Sequence, residues 1–342
     1  MKRILVLGAG AMGSAFTVPC VDNNNDVTLI GTHLEDEAIE SIRNNENFHK
    51  ALNCKLPKKL KVERFKNFQE QLKKKPDLVV IGVSSKGIEW AGKEISKNFN
   101  SSSSILLLAK GLTIINDKFE TLVKKFTIIL QNNGIKDVNV SAVGGPCLAS
   151  GLANRIKSSV VLANEKTEIV RIIRDIISTN YYIVESSNDL IGVETCAAIK
   201  NIYSMIIGAS EGLSSSNVDK EIKSKYYLNT AASLIYRAIS EMKYFTKQLN
   251  GKEETVYGLA GLGDLYVSSA GGRNSKMGKY LGEGYDYKTA KEKFMKNDTI
   301  EGAELVFEIG IKILEDFDKT KIPLMTSLIK SIIDNKKLEI NW

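Results

Sequence analysis

Apolar residues in the first half of the chain fall in short, nearly unbroken runs: RILVLG at 3–8, DVTLIG at 26–31, DLVVIGV at 77–83, SILLLA at 104–109, NVSAVG at 139–144, SSVVLA at 158–163 and YYIVES at 181–186. Continuous rather than alternating hydrophobicity is the pattern of parallel strands covered on both faces. Segments with helical spacing separate the runs. The series therefore reads as βαβ units with right-handed crossovers, an α/β, Rossmann-like doubly wound sheet. Near residue 188 the pattern changes. NDLIGVETCAAIKNIYSMIIGASEGL predicts a long helix over 189–212, with acidic and amide residues at its start to cap it. Helical runs follow at 220–250, 275–282, 288–295, 301–316 and 323–334, and no convincing strand comes after residue 187. The pattern thus predicts an α/β domain over 1–187 and an all-α domain over 188–342. SSSS at 101–104 reads as a loop.

The first strand runs straight into VLGAGAMGSAF at 6–16, which places Gly8, Gly10 and Gly13 as G-x-G-x-x-G around Ala11 and Met12. Gly8 permits a tight turn, Gly10 lets a pyrophosphate approach the backbone, and Gly13 lets the helix pack on the sheet. Phosphates then lie at a helix N-terminus, where unsatisfied N–H groups and the dipole favour anions. The context of strand, turn and helix at the head of a βαβ series makes this a dinucleotide site. Pro19 is expected to kink or shorten that helix. The group that reads the cofactor's 2′ position lies near the end of the second strand. There the chain reads GTHLEDE, with His33 at the tip as a phosphate contact and Glu35 only later, so NAD and NADP both stay open.

Ligands of open α/β sheets bind outside the carboxyl ends of the strands. Ser84, Lys110, and the Gly144-Gly145-Pro146-Cys147 turn stand at such ends. Cys147 has no histidine near it in sequence to activate it and reads as a small residue lining the site. In the second half, YGLAGLGDLYVSSAGGRNSKMGKYLGEG at 257–284 interleaves glycines with Asp264, Ser268, Arg273 and Asn274. Arg273 offers a planar fork for phosphate, with Asn274 as a neutral donor beside it. Lys200 stands out in CAAIKNIYSMIIGA, because a lysine in such an apolar stretch is rarely buried unless it is paired or used.

Composition narrows the partners. The 342 residues carry a net charge of +7, with the basic runs at 58–66 and 71–77 interrupted by acids. That balance fits solvated faces and a small anionic substrate rather than nucleic acid. Four cysteines without a C-x-x-C pair and two histidines argue against a metal site, and a reduced, cytoplasmic setting follows. The chain opens directly into its first motif with no secretory segment, and no uncharged apolar run reaches the roughly 18 residues that would span a bilayer.

Four blocks, GAGAMGSAF near the start, AKGL at 109–112, AAIKNIYSMIIGASEGL at 197–213, and GLAGLGDL…GGRN with EG at 301–302, resemble those of the NAD(P)-dependent glycerol-3-phosphate dehydrogenases, mainly of the bacterial type. They span nearly the whole chain in the family's order. The resemblance implies reversible hydride transfer between NAD or NADP and carbon 2 of dihydroxyacetone phosphate, for glycerophospholipid synthesis, in a soluble homodimer. It assigns Lys200 as proton donor and acceptor and Lys110 as a substrate-holding lysine. It matches Asp264, Ser268, Arg273 and Asn274 to substrate-binding positions, with Arg273 also near the cofactor. Gly145 and Cys147 fall on positions of a glycine and a small polar residue, and Ala149 and Glu301 on cofactor-contacting positions. Where the family has Gly-Pro-Ser/Thr-x-Ala followed closely by a glutamate, this chain has GGPCLASGLANRIKSS, and GVSSKGIEW also departs from the usual loop. A dehydrogenase of a related sugar or polyol phosphate, and a catalytically silent dinucleotide sensor, stay as alternatives. Burial of Lys200 is expected to lower its pKa toward neutrality, with Asp264 and Asn201 orienting it and Lys110 as a second cation.

Overall fold

A computed structural model of the chain describes residues 1–214 and 220–341. The chain forms two compact units, residues 1–110 with 120–193 and residues 111–119 with 194–342.

The first unit is built on eight strands: β1 (Arg3–Leu7), β2 (Asp26–Ile30), β3 (Lys61–Glu63), β4 (Leu78–Ile81), β5 (Ser104–Leu107), β6 (Asn139–Gly144), β7 (Ser158–Ala163) and β8 (Tyr182–Ser187). They lie in the order β8-β7-β6-β5-β4-β1-β2-β3. The apolar runs become strands because both faces of the sheet are covered; β4 and β5 are buried at every position. All pairings are parallel except β6 with β7, where Gly144 stands opposite Val161. The short segment 145–157 turns the chain back without a full crossover, and α7 (Thr167–Ile177) then returns it parallel for β8. Strand order reverses between β1 and β4, which makes the crevice beside Gly8 the topological switch point of the sheet. The helices α1 (Ala11–Asp22), α2 (Asp36–Asn44), α3 (Phe68–Lys73), α4 (Ile88–Ser96), α5 (Leu122–Asn132) and α6 (Ala149–Ala153) complete this unit. Pro19 does not end α1: the helix continues to Asp22, and the Asn23 N–H reaches the Pro19 carbonyl at 2.9 Å. Only the one bond that a residue-19 N–H would have made is forfeited.

The second unit contains most of α8 (Leu190–Leu213) and then α9 (Lys220–Gln248), α10 (Asp264–Ser269), α11 (Arg273–Gly282), α12 (Tyr287–Phe294), α13 (Glu301–Asp316) and α14 (Pro323–Ile333). Asp189 caps α8 by accepting the Gly192 N–H at 3.0 Å. The hydrophobicity of α8 follows from its position: 94% of its most apolar 18-residue window is buried inside the protein. Helix α11 crosses α8 at backbone contact. A Cβ on Gly278 would stand 1.8 Å from the Met205 carbonyl oxygen, and one on Gly208 2.2 Å from that of Ser275. This unit is not wholly helical. The hairpin Leu112–Ile115/Lys118–Thr121, which the apolar pattern did not reveal, contributes residues 111–119. Phe119 packs on Phe245 and Phe317 with ring centroids 6.3 and 5.5 Å away, and Lys312 binds Asp117 at 2.8 Å and Asp316 at 3.0 Å. α14 starts on Pro323 without a side-chain cap of its own. Glu241 of α9 supplies one, accepting the Leu324 and Met325 N–H groups at 2.8 and 3.0 Å and the Tyr203 hydroxyl at 3.1 Å.

Candidate active site

In the first unit the carboxyl ends of the parallel strands carry the predicted groups: Gly8 after β1, Ser84 after β4, Lys110 after β5, and Gly145 with Cys147 after β6. The glycine turn is packed to contact. A Cβ on Gly13 would lie 2.2 Å from the Gly8 carbonyl oxygen, and one on Gly8 2.8 Å from Gly82. Gly82 belongs to this junction and escaped the motif, because its need for a missing side chain comes from a neighbouring strand. Gly10 differs. A Cβ there would meet nothing nearer than the Glu35 Oε1 at 4.0 Å, and its backbone, at φ −65° and ψ 172°, is open to any residue. The space beside Gly10 is thus open. α1 starts there without a side-chain cap, so its first-turn N–H groups at Ala11, Met12 and Gly13 point toward that space. These residues fit a dinucleotide pyrophosphate.

Ala9 is held through both of its backbone polar groups. Its N–H donates to Glu35 Oε2 at 3.0 Å, and its carbonyl faces His49 Nε2 at 3.1 Å. His49 Nδ1 accepts the Leu52 N–H, which leaves Nε2 as the protonated nitrogen. His33 sits at the exposed tip beyond β2, its ring centroid 4.8 Å from Trp90 and 6.2 Å from Phe65. Gly145 has φ +128°, and a Cβ there would stand 3.0 Å from Val160 Cα, so the position admits only glycine. Cys147 is half-buried, and Ala149 begins the five-residue α6. Sequence reading did not find either grouping, Glu35 with His49 on Ala9 or Phe65 with Trp90 on His33, since separate elements bring their members together.

In the second unit the structure gathers Lys200, Asn201, Asp264, Ser268, Arg273, Asn274 and Glu301. Lys200 and Asn201 lie mid-way along α8. Asp264 and Ser268 are one turn apart on α10, and Arg273 and Asn274 open α11. Lys200 is 7% exposed; its Nζ donates to Asp264 Oδ1 at 2.9 Å and to Ser268 Oγ. Asp264, 3% exposed, thus stands as a buried carboxylate against the Lys200 amine, in the orienting place expected of it. Beside it runs a chain of directed bonds. The Gly302 N–H donates to Asn274 Oδ1 at 2.8 Å, which turns the Asn274 amide to donate to Asn201 Oδ1 at 3.1 Å. Asn201 in turn directs its amide to Glu301 Oε2 at 3.4 Å, and Arg273 holds Glu301 Oε1 at 3.0 Å. A Cβ on Gly302 would come within 2.6 Å of the Asn201 carbonyl oxygen, so the glycine after Glu301 is required by this approach. Arg273 and Glu301 are half exposed, whereas the asparagines are buried. The arrangement is a buried lysine amine with a carboxylate behind it, flanked by two buried amides and an accessible guanidinium. That is what reduction of a carbonyl on an anionic substrate requires.

Comparison with known proteins agrees over the whole length. Residues 3–170 match the family described as NAD-dependent glycerol-3-phosphate dehydrogenase N-terminus, and residues 189–340 the corresponding C-terminus. An NADP(+)-dependent glycerol-3-phosphate dehydrogenase of Archaeoglobus fulgidus is 32% identical over 98% of this chain and 96% of its own length. A glycerol-3-phosphate dehydrogenase [NAD(P)+] of Fusobacterium nucleatum is 30% identical over all of both chains. Among solved structures, the glycerol-3-phosphate dehydrogenases of Coxiella burnetii and Plasmodium falciparum share the fold. Their TM-scores are 0.80 and 0.82, at 23% and 21% identity, covering 98% and 100% of this chain and 96% and 97% of theirs.

Proposed function

The chain belongs to the NAD-dependent glycerol-3-phosphate dehydrogenase family, and we propose that it interconverts dihydroxyacetone phosphate and sn-glycerol 3-phosphate with NAD or NADP. The buried Lys200–Asp264–Ser268 cluster beside Asn201, Asn274 and Arg273 carries this reading. Lys200 Nζ donates the proton that the substrate's carbonyl oxygen gains on reduction and takes it back in oxidation. Asp264 Oδ1 keeps the ammonium aimed and offsets the charge while the proton is in place. Asn201 and Asn274, locked by the Gly302 N–H, present fixed polar edges that need no reorganisation as charge develops.

Arg273 takes the substrate phosphate. Its present partner Glu301 is half exposed, and such pairs are worth only about 0–1 kcal/mol, so a phosphate dianion displaces it at little cost. When bound, the nicotinamide supplies the hydride. Gly8, Gly10, Ala11, Met12, Gly13, His33, Ser84, Ala149 and Glu301 are the cofactor-side groups of this reading. Lys110, Gly145 and Cys147 are its substrate-side groups in the first unit. The same reading makes the protein a cytoplasmic homodimer that serves glycerophospholipid synthesis, with α8 as a buried core helix rather than a membrane span.

The test is direct. Purified protein with NADH or NADPH should oxidise the nucleotide when dihydroxyacetone phosphate is added. Dihydroxyacetone without its phosphate should support far less turnover. Equal turnover with both would remove the phosphate from the reading, and preference for another keto-phosphate would reassign the substrate.

A further inference from the structure

Glu35 lies beyond the tip of β2, past the strand end where a dinucleotide's 2′ group is ordinarily read. The fold brings it back. Its Oε2 accepts two backbone donors at once, the Ala9 N–H of the glycine turn at 3.0 Å and the Thr32 N–H at 2.7 Å. Its other oxygen, Oε1, lies 4.0 Å from where a Cβ on Gly10 would stand. The carboxylate is half-buried and pinned, with the Ala9 peptide clamped from the far side by His49.

The adjoining stretch of chain carries charge of the same sign. Residues 31–42 contain Glu35, Asp36, Glu37 and Glu40 and no lysine or arginine. The two arginines flanking this edge both turn to Glu40, Arg64 Nε at 2.8 Å and Arg43 Nη1 at 3.3 Å. Glu40 holds the Arg64 guanidinium above its ordinary value, which fixes it further in that pair. His33, two residues before Glu35 in the chain, packs with Trp90 and Phe65 into an aromatic wall suited to a flat base.

We propose that Glu35 selects NAD over NADP: its carboxylate accepts the adenosine ribose hydroxyls and excludes a 2′-phosphate. The exclusion has two parts. A fixed negative charge opposes the phosphate dianion. The backbone donors that an added phosphate would seek, at Ala9 and Thr32, are already used by Glu35 Oε2. The proposal rests on the dinucleotide reading of the glycine turn and deepens it.

Binding tests it without turnover. The full-length protein is titrated with NADH and with NADPH by quenching of tryptophan fluorescence. Competition by 5′-AMP and by 2′,5′-ADP isolates the adenosine end. NADH should bind at least about tenfold more tightly than NADPH, and 5′-AMP should compete better than 2′,5′-ADP. Glu35→Gln keeps an acceptor for the Ala9 and Thr32 N–H groups while removing the charge. It should shrink the gap to about threefold or less, chiefly by tightening NADPH. Wild-type protein that binds NADPH as tightly as NADH overturns the proposal alone, whether or not the variant folds. So does a ratio that Glu35→Gln leaves unchanged in a folded protein. Failure to bind either nucleotide overturns the dinucleotide site and this proposal together.

Discussion

Lys200 is compensated by a carboxylate 64 positions away in sequence. The apolar stretch around it announced a buried amine, and Asp264 was expected to orient it, but burial of both as an ion pair became visible only in the fold. That changes the expected outcome of Lys200→Met. Turnover should fall by about 10² to 10⁴, as for loss of a general acid–base group. Stability should fall too, by about 3–5 kcal/mol, because the buried Asp264 loses its ammonium. Adding Asp264→Leu should restore most of the stability and none of the turnover. Urea denaturation of the single and double variants measures the first. A single variant as stable as wild type would mean that the carboxylate is not charged. Separation in sequence also hid the Glu35–Ala9–His49 clamp, although the glycines it supports were readable as a motif.

Helix positions were legible almost to the residue where amphipathic spacing set them: 301–316 was read and found, and 189–212 appears as 190–213. The hairpin at 112–121 was not. Its strands have four residues each, and its turn puts Asn116 and Asp117 at φ 50° and 62°, a left-handed pair without the glycine that usually marks such turns. The cap on α14 was equally silent, since Glu241 comes from α9. Burial pushes the Glu241 carboxyl up to about 7, while the Leu324 and Met325 N–H groups pull it down. A carboxyl raised on folding stabilises most at acid pH, where both states are protonated. That contribution is lost as pH rises from the unfolded value near 4.5 through about 7. Wild type should therefore lose on the order of 2 kcal/mol relative to Glu241→Gln between pH 4.5 and 8. Paired urea melts across that range read the difference; parallel curves would show that folding leaves the Glu241 carboxyl unshifted.

At the scale of the molecule, the sequence indicated one sheet-based and one helical half. It did not indicate that the chain passes between them three times, at 110/111, 119/120 and 193/194. A run of nine residues is too short to announce membership of a unit by its own hydrophobicity, and here Phe119, Asp117 and their partners decide it. The fragment 194–342 should consequently melt at lower temperature and less cooperatively than the same fragment with residues 111–119 joined to its N-terminus by a flexible linker. Circular dichroism melts compare the two, and identical curves would make the hairpin tip incidental.

The threaded hairpin also bears on how such a protein can be inherited. A single genetic exchange near codon 193 would give the helical half of one parent a hairpin tip from the other. Asp117 and Phe119 would then meet a foreign Lys312, Phe245 and Phe317. Only exchanges that carry residues 111–119 along, or parents that already agree there, keep that packing intact. Lineages of this chain are thus expected to hold the nucleotide half and the helical half together, and to vary substrate or cofactor preference by point changes such as those at Glu35 rather than by shuffling halves.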